Sequence, residues 1–206
     1  NMAAISHIIK KTPPEYEIVV AIGYMGDQVR DYCLAAHPER SFKFVEVESF
    51  NPDRTGPATS LYACKHLLQR PFYFCACDVY FEGDLEPCSS DWLGLSRTVL
   101  SELYATVDLG SDGKVKKIKD KSEKGYEYAW TGLMSVFSHE KFWRSFRPSQ
   151  KEIPDVLKDS NVSFGSRFYT WYDIGTLDNY IKARKIIERD SDTFVIPKIN
   201  GEFFYR

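Results

Sequence analysis

Hydrophobic and polar positions along the first half of the chain alternate as strands and helices do in an α/β protein. The apolar run at 17–23 is short and stops at a glycine, which predicts a buried strand. Apolar residues then recur at helical spacing, and residues 41–47 alternate like a second strand. Pro57 stands where a helix can begin, and residues 71–77 predict a third strand that ends at Asp78. This order predicts a parallel sheet with helices on both faces.

The second half of the chain has a different pattern. Strand-like residues 103–109 and 115–119 flank Asp112-Gly113, which predicts an antiparallel hairpin. Further along, the pattern predicts a strand over 126–137, helices near 140–146 and 153–158, and a strand over 168–174. Thr176 is placed to cap a last helix that runs to about Arg189. The whole pattern predicts a Rossmann-like, three-layer α/β fold, with a mainly parallel sheet and a small antiparallel insertion.

Composition and charge narrow the classes of function. With 206 residues the chain can form one sizeable α/β domain. Its formal net charge of −2 gives no field that would recruit nucleic acid or an anionic membrane surface. The sequence has no apolar stretch near the ~20 residues of a membrane helix and no signal-peptide pattern. Its five cysteines are an odd number and lie mostly in apolar runs, which indicates reduced thiols and not a set of disulfides. We therefore expect a cytoplasmic protein without nucleic-acid or membrane partners; a homo-oligomer is left open.

Two aspartates follow strand-like runs that are distant in the sequence. Asp78 comes after residues 71–77, and Asp173 comes after residues 169–172. Ligands of open α/β sheets bind beyond the carboxyl ends of the strands, so the two side chains are expected to converge. Paired carboxylates that leave most of a coordination shell free suit Mg²⁺ carrying substrate phosphates. Since an aspartate after a strand is often a turn or cap residue, spacing alone makes the pair suggestive only.

Six short segments of the sequence are each a weak signal alone, but they are informative in the order in which they occur. They are Ile18–Tyr24, Thr55–Ala58, Ala76–Val79, Lys119–Lys121, Ala129–Leu133 and Trp171–Thr176. Together they resemble the nucleotidyltransferase family that makes nucleotide sugars, such as the glucose-1-phosphate thymidylyltransferases and mannose-1-phosphate guanylyltransferases. The resemblance implies the nucleotide-diphospho-sugar transferase fold. It also implies a Mg²⁺-dependent enzyme that transfers a nucleoside monophosphate from a nucleoside triphosphate to a sugar 1-phosphate and releases pyrophosphate.

The resemblance implies a catalytic set of three residues. Asp78 and Asp173 match the two aspartates that hold Mg²⁺ against the phosphates. Lys121 matches a lysine that grips the phosphate of the acceptor. Judged by its neighbours alone, Lys121 belongs to a basic run and would be a solvated charge. Its catalytic role therefore rests on the resemblance.

Four further residues match substrate-binding positions of the family. Gly56 matches a glycine whose bare backbone lets the nucleobase or ribose approach closely. Asp120 stands where relatives use an acid to bind sugar hydroxyls. Thr131 and Gly132 stand where backbone and side chain line the sugar pocket.

One part of the family pattern is not found in this sequence. The family opens with a strand and a glycine-rich loop that carries an arginine and a lysine and cradles the triphosphate. Residues 1–9 look like the helix that follows that loop. We expect residues 1–190 to form a nucleotidyltransferase domain without this strand and loop, either as a fragment or because the protein has dispensed with them. Residues 191–206 are expected to form a tail, either an edge hairpin or the start of a following domain.

Three alternatives stay open at this point. Residues 60–62 also resemble the corresponding segment of phosphocholine cytidylyltransferases. If this chain uses phosphocholine, Tyr128, Trp130 and Trp171 could surround its quaternary ammonium group. A glycosyltransferase that uses a nucleotide sugar would share the sheet, but the sequence reads Asp78-Val79-Tyr80 where such enzymes usually have Asp-x-Asp. A non-catalytic domain that binds a nucleotide or nucleotide sugar would explain the missing loop, but it would not need both aspartates.

Overall fold

The structure, a computed structural model, describes residues 3–47, 55–98, 101–119, 121 and 126–190. Asp120 and the predicted tail at 191–206 lie outside the described residues. The α-helices are α1 (Ala4–Lys11), α2 (Gly26–Ala36), α3 (Pro57–Ala63), α4 (His139–Ser145), α5 (Ile153–Asp159) and α6 (Leu177–Asp190). The strands are β1 (Ile18–Ile22), β2 (Phe42–Glu46), β3 (Phe72–Cys75), β4 (Val79–Phe81), β5 (Trp92–Arg97), β6 (Thr106–Leu109), β7 (Val115–Lys119), β8 (Tyr128–Val136), β9 (Gly165–Phe168) and β10 (Trp171–Asp173).

Local sequence explains where several of these elements begin or turn. Helix α3 begins at Pro57, whose missing N–H is not needed in the first turn of a helix. Thr176 caps α6, since its Oγ1 accepts the N–H of Asn179 at 3.2 Å. The hairpin of β6 and β7 turns through Gly113, whose φ of +73° a side chain would strain. The cap of the last helix and the hairpin are confirmed, although the first strand of the hairpin begins at Thr106 and not at 103 as predicted.

The α/β class is confirmed, but the central sheet is mixed and not mainly parallel. Its strand order is β7-β6-β8-β5-β9, and β3 also pairs with β8. Strand β8 runs antiparallel to β3, β5 and β6, whereas β9 runs parallel to β5. The last six residues of β8 are all buried, so it is a central strand and not part of a peripheral insertion. An apolar run cannot show its direction, which is why the pattern did not predict this pairing.

Residues 168–174 form two strands where the sequence predicts one. Phe168 ends β9, which pairs with β5 of the central sheet. Residues 171–173 form β10, which pairs antiparallel with β4 in a separate two-stranded sheet. The chain passes between the sheets at Tyr169 and Thr170, whose backbone groups bond to Leu95 and Glu82 respectively. Strands β4 and β5 were not predicted from the sequence.

The core lies on both faces of the central sheet, because its inner strands are apolar on both sides. Leu93, Leu95, Met134 and Val136 join the larger cluster, where α3, α4 and α5 cover the sheet. Trp92 and Leu133 point to the other face, where they pack with Phe81 and Tyr169. Burying one such side chain contributes on the order of 1.5–3 kcal/mol. These contacts fix the position of β3, β4 and β8, which carry the candidate site.

Strands β1 and β2 form a separate parallel pair. Within the described ranges, the edge of β1 away from β2 and the edge of β3 away from β8 have no strand partner. Burial on β1 is correspondingly partial, with Ile22 buried and Ala21 exposed. In the part of the chain that the structure describes, none of the helices has the length and hydropathy needed to cross a membrane.

Candidate functional site

The structure brings Asp78 and Asp173 together through the pairing of β4 with β10. Asp78 immediately precedes β4, and Asp173 is the last residue of β10 and lies opposite Val79. The N–H of Ile174 donates to the carbonyl oxygen of Asp78 at 2.9 Å. The convergence therefore arises from an antiparallel pair, and not from two parallel strands ending at one edge of a sheet. This register places both carboxylates at the same end of the small sheet.

Gly175 shows how closely the two carboxylates approach. A Cβ on Gly175 would lie 3.1 Å from Asp173 Oδ1 and 3.2 Å from Asp78 Oδ2. The two oxygens, from strands far apart in the sequence, thus face one small space that is open because residue 175 lacks a side chain. Asp78 and Gly175 are exposed, and Asp173 is half-buried. The space is accessible from solvent.

Three donors hold the Asp173 carboxylate. The N–H of Gly175 donates to Oδ1 at 2.8 Å. Oδ2 accepts Nδ2 of Asn179 at 2.9 Å and the hydroxyl of Tyr104 at 3.3 Å. Burial, together with the nearby charge of Asp173, raises the pKa of Tyr104, so its hydroxyl remains a donor at neutral pH. Sequence reasoning missed Tyr104 and Asn179, although the six-residue spacing from Asp173 to Asn179 across the α6 cap was a usable signal for the second.

The carboxylate pair fits a hard divalent cation. Both ligands are carboxylate oxygens, the donor type that Mg²⁺ prefers, and Mg²⁺ commonly uses only one or two protein carboxylates. No group of three or more His, Cys, Asp or Glu side chains that could hold a metal is found in the ranges described. The donor set is thus suited to a cation that keeps most of its coordination shell for water and phosphate, and it is unlike a closed structural zinc site.

Gly56 is predicted to bind substrate, and its backbone lies against the residues that precede α5. A Cβ on Gly56 would clash with the carbonyl oxygen of Lys151, and it would lie 3.3 Å from Glu152 Oε1. The same carbonyl accepts the N–H of Ala58 at 2.9 Å. The absence of a side chain at 56 is thus required by the packing of the protein itself. A role in approaching the nucleotide stays a prediction.

Thr131 and Gly132 both have structural roles in β8. The Thr131 side chain is buried, and its hydroxyl donates to the carbonyl oxygen of Gly94 at 3.0 Å. Gly132 has a φ of +79°, and a Cβ there would lie 2.9 Å from Ala76 Cβ. Gly132 therefore lets β8 pass closely under the loop that leads to Asp78. The structure places Gly132 against Ala76 and Val79, which flank Asp78 in the sequence, and the Thr131 hydroxyl inside the core; their contacts with a sugar stay predictions.

Of the two residues predicted to bind the acceptor, Lys121 lies beyond the end of β7. Lys121 is exposed there, two residues after Lys119. Asp120 falls outside the described residues. The roles assigned to both residues by resemblance stay predictions.

Two of the aromatic residues considered for a quaternary ammonium have different surroundings. Trp171 meets Tyr104 edge to face, with ring centroids 4.8 Å apart, directly beside Asp173. Trp130 stacks on Phe74 and donates its Nε1–H to the carbonyl oxygen of Leu133 at 3.0 Å. Trp130 therefore packs, partly buried, against the core, and the Tyr104–Trp171 pair supplies an aromatic surface beside Asp173.

A second polar cluster has the residue types of a nucleophilic site but is closed. Ser6 Oγ lies 2.7 Å from His37 Nε2 and 2.8 Å from the Tyr32 hydroxyl. His37 Nδ1 lies 3.8 Å from a carboxylate oxygen of Glu39. Ser6 is only 1% exposed and His37 only 4%. No substrate can reach the serine, so the cluster joins α1 to α2 and does not form a Ser-His-acid catalytic site.

Comparison with solved structures identifies the fold. A putative glucose-1-phosphate thymidylyltransferase from Bacillus anthracis is 19% identical, with a TM-score of 0.70 over 96% of this chain and 85% of that one. A UDP-glucose pyrophosphorylase is 13% identical, with a TM-score of 0.70 over 91% of this chain and 87% of that one. The CTP:phosphocholine cytidylyltransferase of Streptococcus pneumoniae is 17% identical, with a TM-score of 0.68 over 89% and 82%. Neither a family model nor a curated protein matches the sequence. The chain has the nucleotide-diphospho-sugar transferase fold of these nucleotidyltransferases.

Proposed function

We propose that this chain is the core of a Mg²⁺-dependent nucleotidyltransferase that joins a nucleoside monophosphate to a sugar 1-phosphate. The observation that carries the proposal is the convergence of Asp78 Oδ2 and Asp173 Oδ1 on one space beside Gly175. Two like charges held close together repel each other, and a divalent cation offsets that repulsion. The six ordered segments and the fold shared with solved nucleotidyltransferases support the same reaction class.

The proposed reaction needs no nucleophile from the protein. An oxygen of the acceptor phosphate bonds to the α-phosphorus of a nucleoside triphosphate while the bond from that phosphorus to the pyrophosphate oxygen breaks. Asp78 and Asp173 would hold Mg²⁺, which when bound neutralises negative charge on the phosphates. Lys121 would bind the acceptor phosphate. The protein therefore acts by positioning its substrates and balancing their charge.

A phosphocholine acceptor is the second candidate. The observation that favours it is the Tyr104–Trp171 pair beside Asp173, because aromatic faces attract quaternary ammonium groups. The similarity to a solved CTP:phosphocholine cytidylyltransferase supports it as much as the other similarities support a sugar. The segment Trp171–Thr176 resembles the sugar enzymes more closely, so a sugar 1-phosphate stays the first proposal.

Calorimetric titration with possible products tests the function and the acceptor together. A panel of nucleotide sugars and CDP-choline is titrated into the full chain, once with Mg²⁺ and once with EDTA. We expect one compound to bind in a Mg²⁺-dependent manner, and Asp78→Ala to abolish that dependence. Asp84→Ala, which removes another exposed carboxylate after β4, serves as the matched control and should bind as wild type does.

The outcomes separate the alternatives. Mg²⁺-dependent binding of a nucleotide sugar supports the first proposal, and CDP-choline binding supports the second. Binding that is equal in Mg²⁺ and EDTA contradicts the metal site and favours the non-catalytic nucleotide-binding alternative. A folded protein that binds no member of the panel contradicts the proposal that these residues form a working site. A cytoplasmic location accords with such substrates and is proposed with them.

A further inference from the structure

The two oxygens of the Asp173 carboxylate have different surroundings. Oδ2 accepts two side-chain donors, Asn179 Nδ2 at 2.9 Å and the Tyr104 hydroxyl at 3.3 Å. Oδ1 accepts one backbone donor, the N–H of Gly175 at 2.8 Å. Oδ1 is also the oxygen that shares the space beside Gly175 with Asp78 Oδ2. The donors of Asn179 and Tyr104 therefore hold the oxygen that does not take part in the carboxylate pair.

The number of hydrogen bonds that a carboxylate oxygen can accept is limited. Each oxygen of an ionised carboxylate accepts at about two positions. Among the residues that the structure describes, two donors use both positions of Oδ2, whereas Oδ1 retains one position. The retained position belongs to the oxygen beside Asp78. Partial rotation of the carboxylate would break the bonds to Asn179 and Tyr104 and turn the free acceptor position away from Asp78, whereas a half-turn only exchanges two equivalent oxygens and restores the same bonds.

We propose that Asn179 and Tyr104 are positioning residues that fix Asp173 with Oδ1 toward the divalent cation. The inference rests on the proposed function, since it concerns the cation held by the same carboxylate pair. Groups that hydrogen-bond a metal ligand from behind orient that ligand, and their loss typically weakens metal affinity about 10–100-fold. Neither residue touches the substrates or the cation in this assignment; each acts through Asp173.

Asn179 and Tyr104 come from different parts of the fold, and we expect them to hold the Asp173 carboxylate with different strength. Asn179 lies in the first turn of α6, where its own N–H is bonded to the Thr176 cap, and it is only six positions from Asp173. Tyr104 belongs to the connection between β5 and β6, and its ring is held against Trp171 with centroids 4.8 Å apart. Its bond to Asp173 is the longer of the two. We therefore expect a larger effect from Asn179 than from Tyr104.

Binding of Mn²⁺ alone tests the inference without any assay of turnover. Electron paramagnetic resonance measures free Mn²⁺ during titration of the full chain, at a temperature where circular dichroism shows each variant folded. We expect the Mn²⁺ Kd to rise about tenfold in Asn179→Ala and about threefold in Tyr104→Phe. Asn179→Ala introduces a good helix former, and Tyr104→Phe keeps the ring contact with Trp171, so neither change should unfold the protein.

Matched controls distinguish positioning from general damage. Asp178→Ala and Tyr180→Phe change exposed neighbours on α6 and should leave the Mn²⁺ Kd unchanged. Unaltered Mn²⁺ affinity in both Asn179→Ala and Tyr104→Phe, with affinity lost in Asp78→Asn, overturns the positioning role and leaves the proposed site standing. Wild-type protein that binds no Mn²⁺, or Asp78→Asn that binds it as wild type does, overturns the proposed site and the inference with it.

Discussion

Two polar clusters in this protein contain residue types that enzymes use, and they differ in exposure and in charge. The Ser6–His37 cluster contains one carboxylate, that of Glu39 at its rim; Ser6 and His37 are buried, and their polar atoms are bonded within the cluster. The Asp78–Asp173 pair holds two like charges at the surface, with one oxygen of each facing a shared space. A buried, satisfied cluster stabilises the fold, whereas paired charges that face solvent require a partner from outside. The comparison shows that residue type alone does not indicate a functional site. It matters more whether the polar atoms are already hydrogen-bonded within the protein and whether solvent reaches them.

Removing one carboxylate should give the largest effect. In Asp78→Asn we expect Mg²⁺-dependent binding of the product to weaken at least about a hundredfold, in line with loss of a direct metal ligand. Thermal stability should not fall, because the substitution removes a like-charge repulsion. Calorimetry and thermal melts measure the two effects. A variant with a much lower melting temperature and normal binding would show that Asp78 stabilises the fold and does not hold the cation.

A side chain at Gly56 should affect stability more than binding. We expect Gly56→Ala to lower the free energy of unfolding by about 1–3 kcal/mol, because its Cβ would clash with the carbonyl oxygen of Lys151. Urea unfolding measures the loss. Gly165→Ala is the control, since its Cβ would make an ordinary contact at 3.6 Å with the carbonyl oxygen of Asp91. Normal stability combined with lost nucleotide binding would instead support the ligand-approach role implied by resemblance.

Removing the buried imidazole should destabilise the protein and leave binding intact. His37→Ala takes away one hydrogen-bond partner of Ser6 Oγ and leaves a cavity, so we expect the free energy of unfolding to fall by about 2 kcal/mol. His66→Ala, at an exposed position, should change stability by less than about 0.5 kcal/mol. Product binding per folded molecule should match wild type in both. Lost binding in a folded His37→Ala protein would show that the closed cluster is part of the site.

The Thr131 hydroxyl tests a residue that resemblance assigns to the sugar pocket. Thr131→Val removes its hydrogen bond to the Gly94 carbonyl oxygen, and we expect a loss of about 1 kcal/mol in the free energy of unfolding. Because this hydroxyl is buried, product affinity should stay the same. Exposed Thr170→Val is the control, with no expected change in either quantity. A selective loss of affinity for one nucleotide sugar would instead support the role in the sugar pocket that the resemblance assigns to Thr131.

Cysteine reactivity should show the smallest effect and separate open from closed regions. Burial raises the pKa of Cys64 to about 11, so at pH 8 its thiol is protonated as well as inaccessible. Cys77 is exposed beside Asp78, although partial burial raises its pKa too. We expect iodoacetamide to label Cys77 before Cys64, and bound product with Mg²⁺ to slow labelling of Cys77 several-fold. Mass spectrometry follows both sites, and faster labelling of Cys64 would contradict the closed core.

Local features of the sequence predicted much of the fold. The glycine after β1, Pro57 before α3, the Asp112-Gly113 turn and the Thr176 cap each act within a few residues, so their effects could be predicted without knowing the fold. Strands β4 and β5 were missed, and one predicted strand proved to be two. Those failures concern runs of apolar residues, whose period and length do not say which sheet they join.

The candidate site shows the same division. Both aspartates were predicted from their places after strand-like runs, and their convergence is found in the structure. The cause of this convergence was not predictable, because β4 pairs with β10 between residues 90 to 94 positions apart. Tyr104 was invisible for the same reason, since its hydrogen bond to Asp173 spans 69 positions. The burial of the Thr131 hydroxyl likewise depends on Gly94 in a strand that the sequence did not reveal.

The sequence by itself determined the α/β class, the positions of most helices and turns, and the two carboxylates on which the proposed chemistry depends. Each of these follows from contacts or conformational preferences within a few residues. The tertiary structure decided the directions of the central strands, the shared space beside Gly175, and the donors that hold Asp173. It also decided that Ser6 and His37 are closed to substrate. Such features depend on which distant strands and loops pack together, and the free energy of that packing belongs to the whole chain and to no single segment.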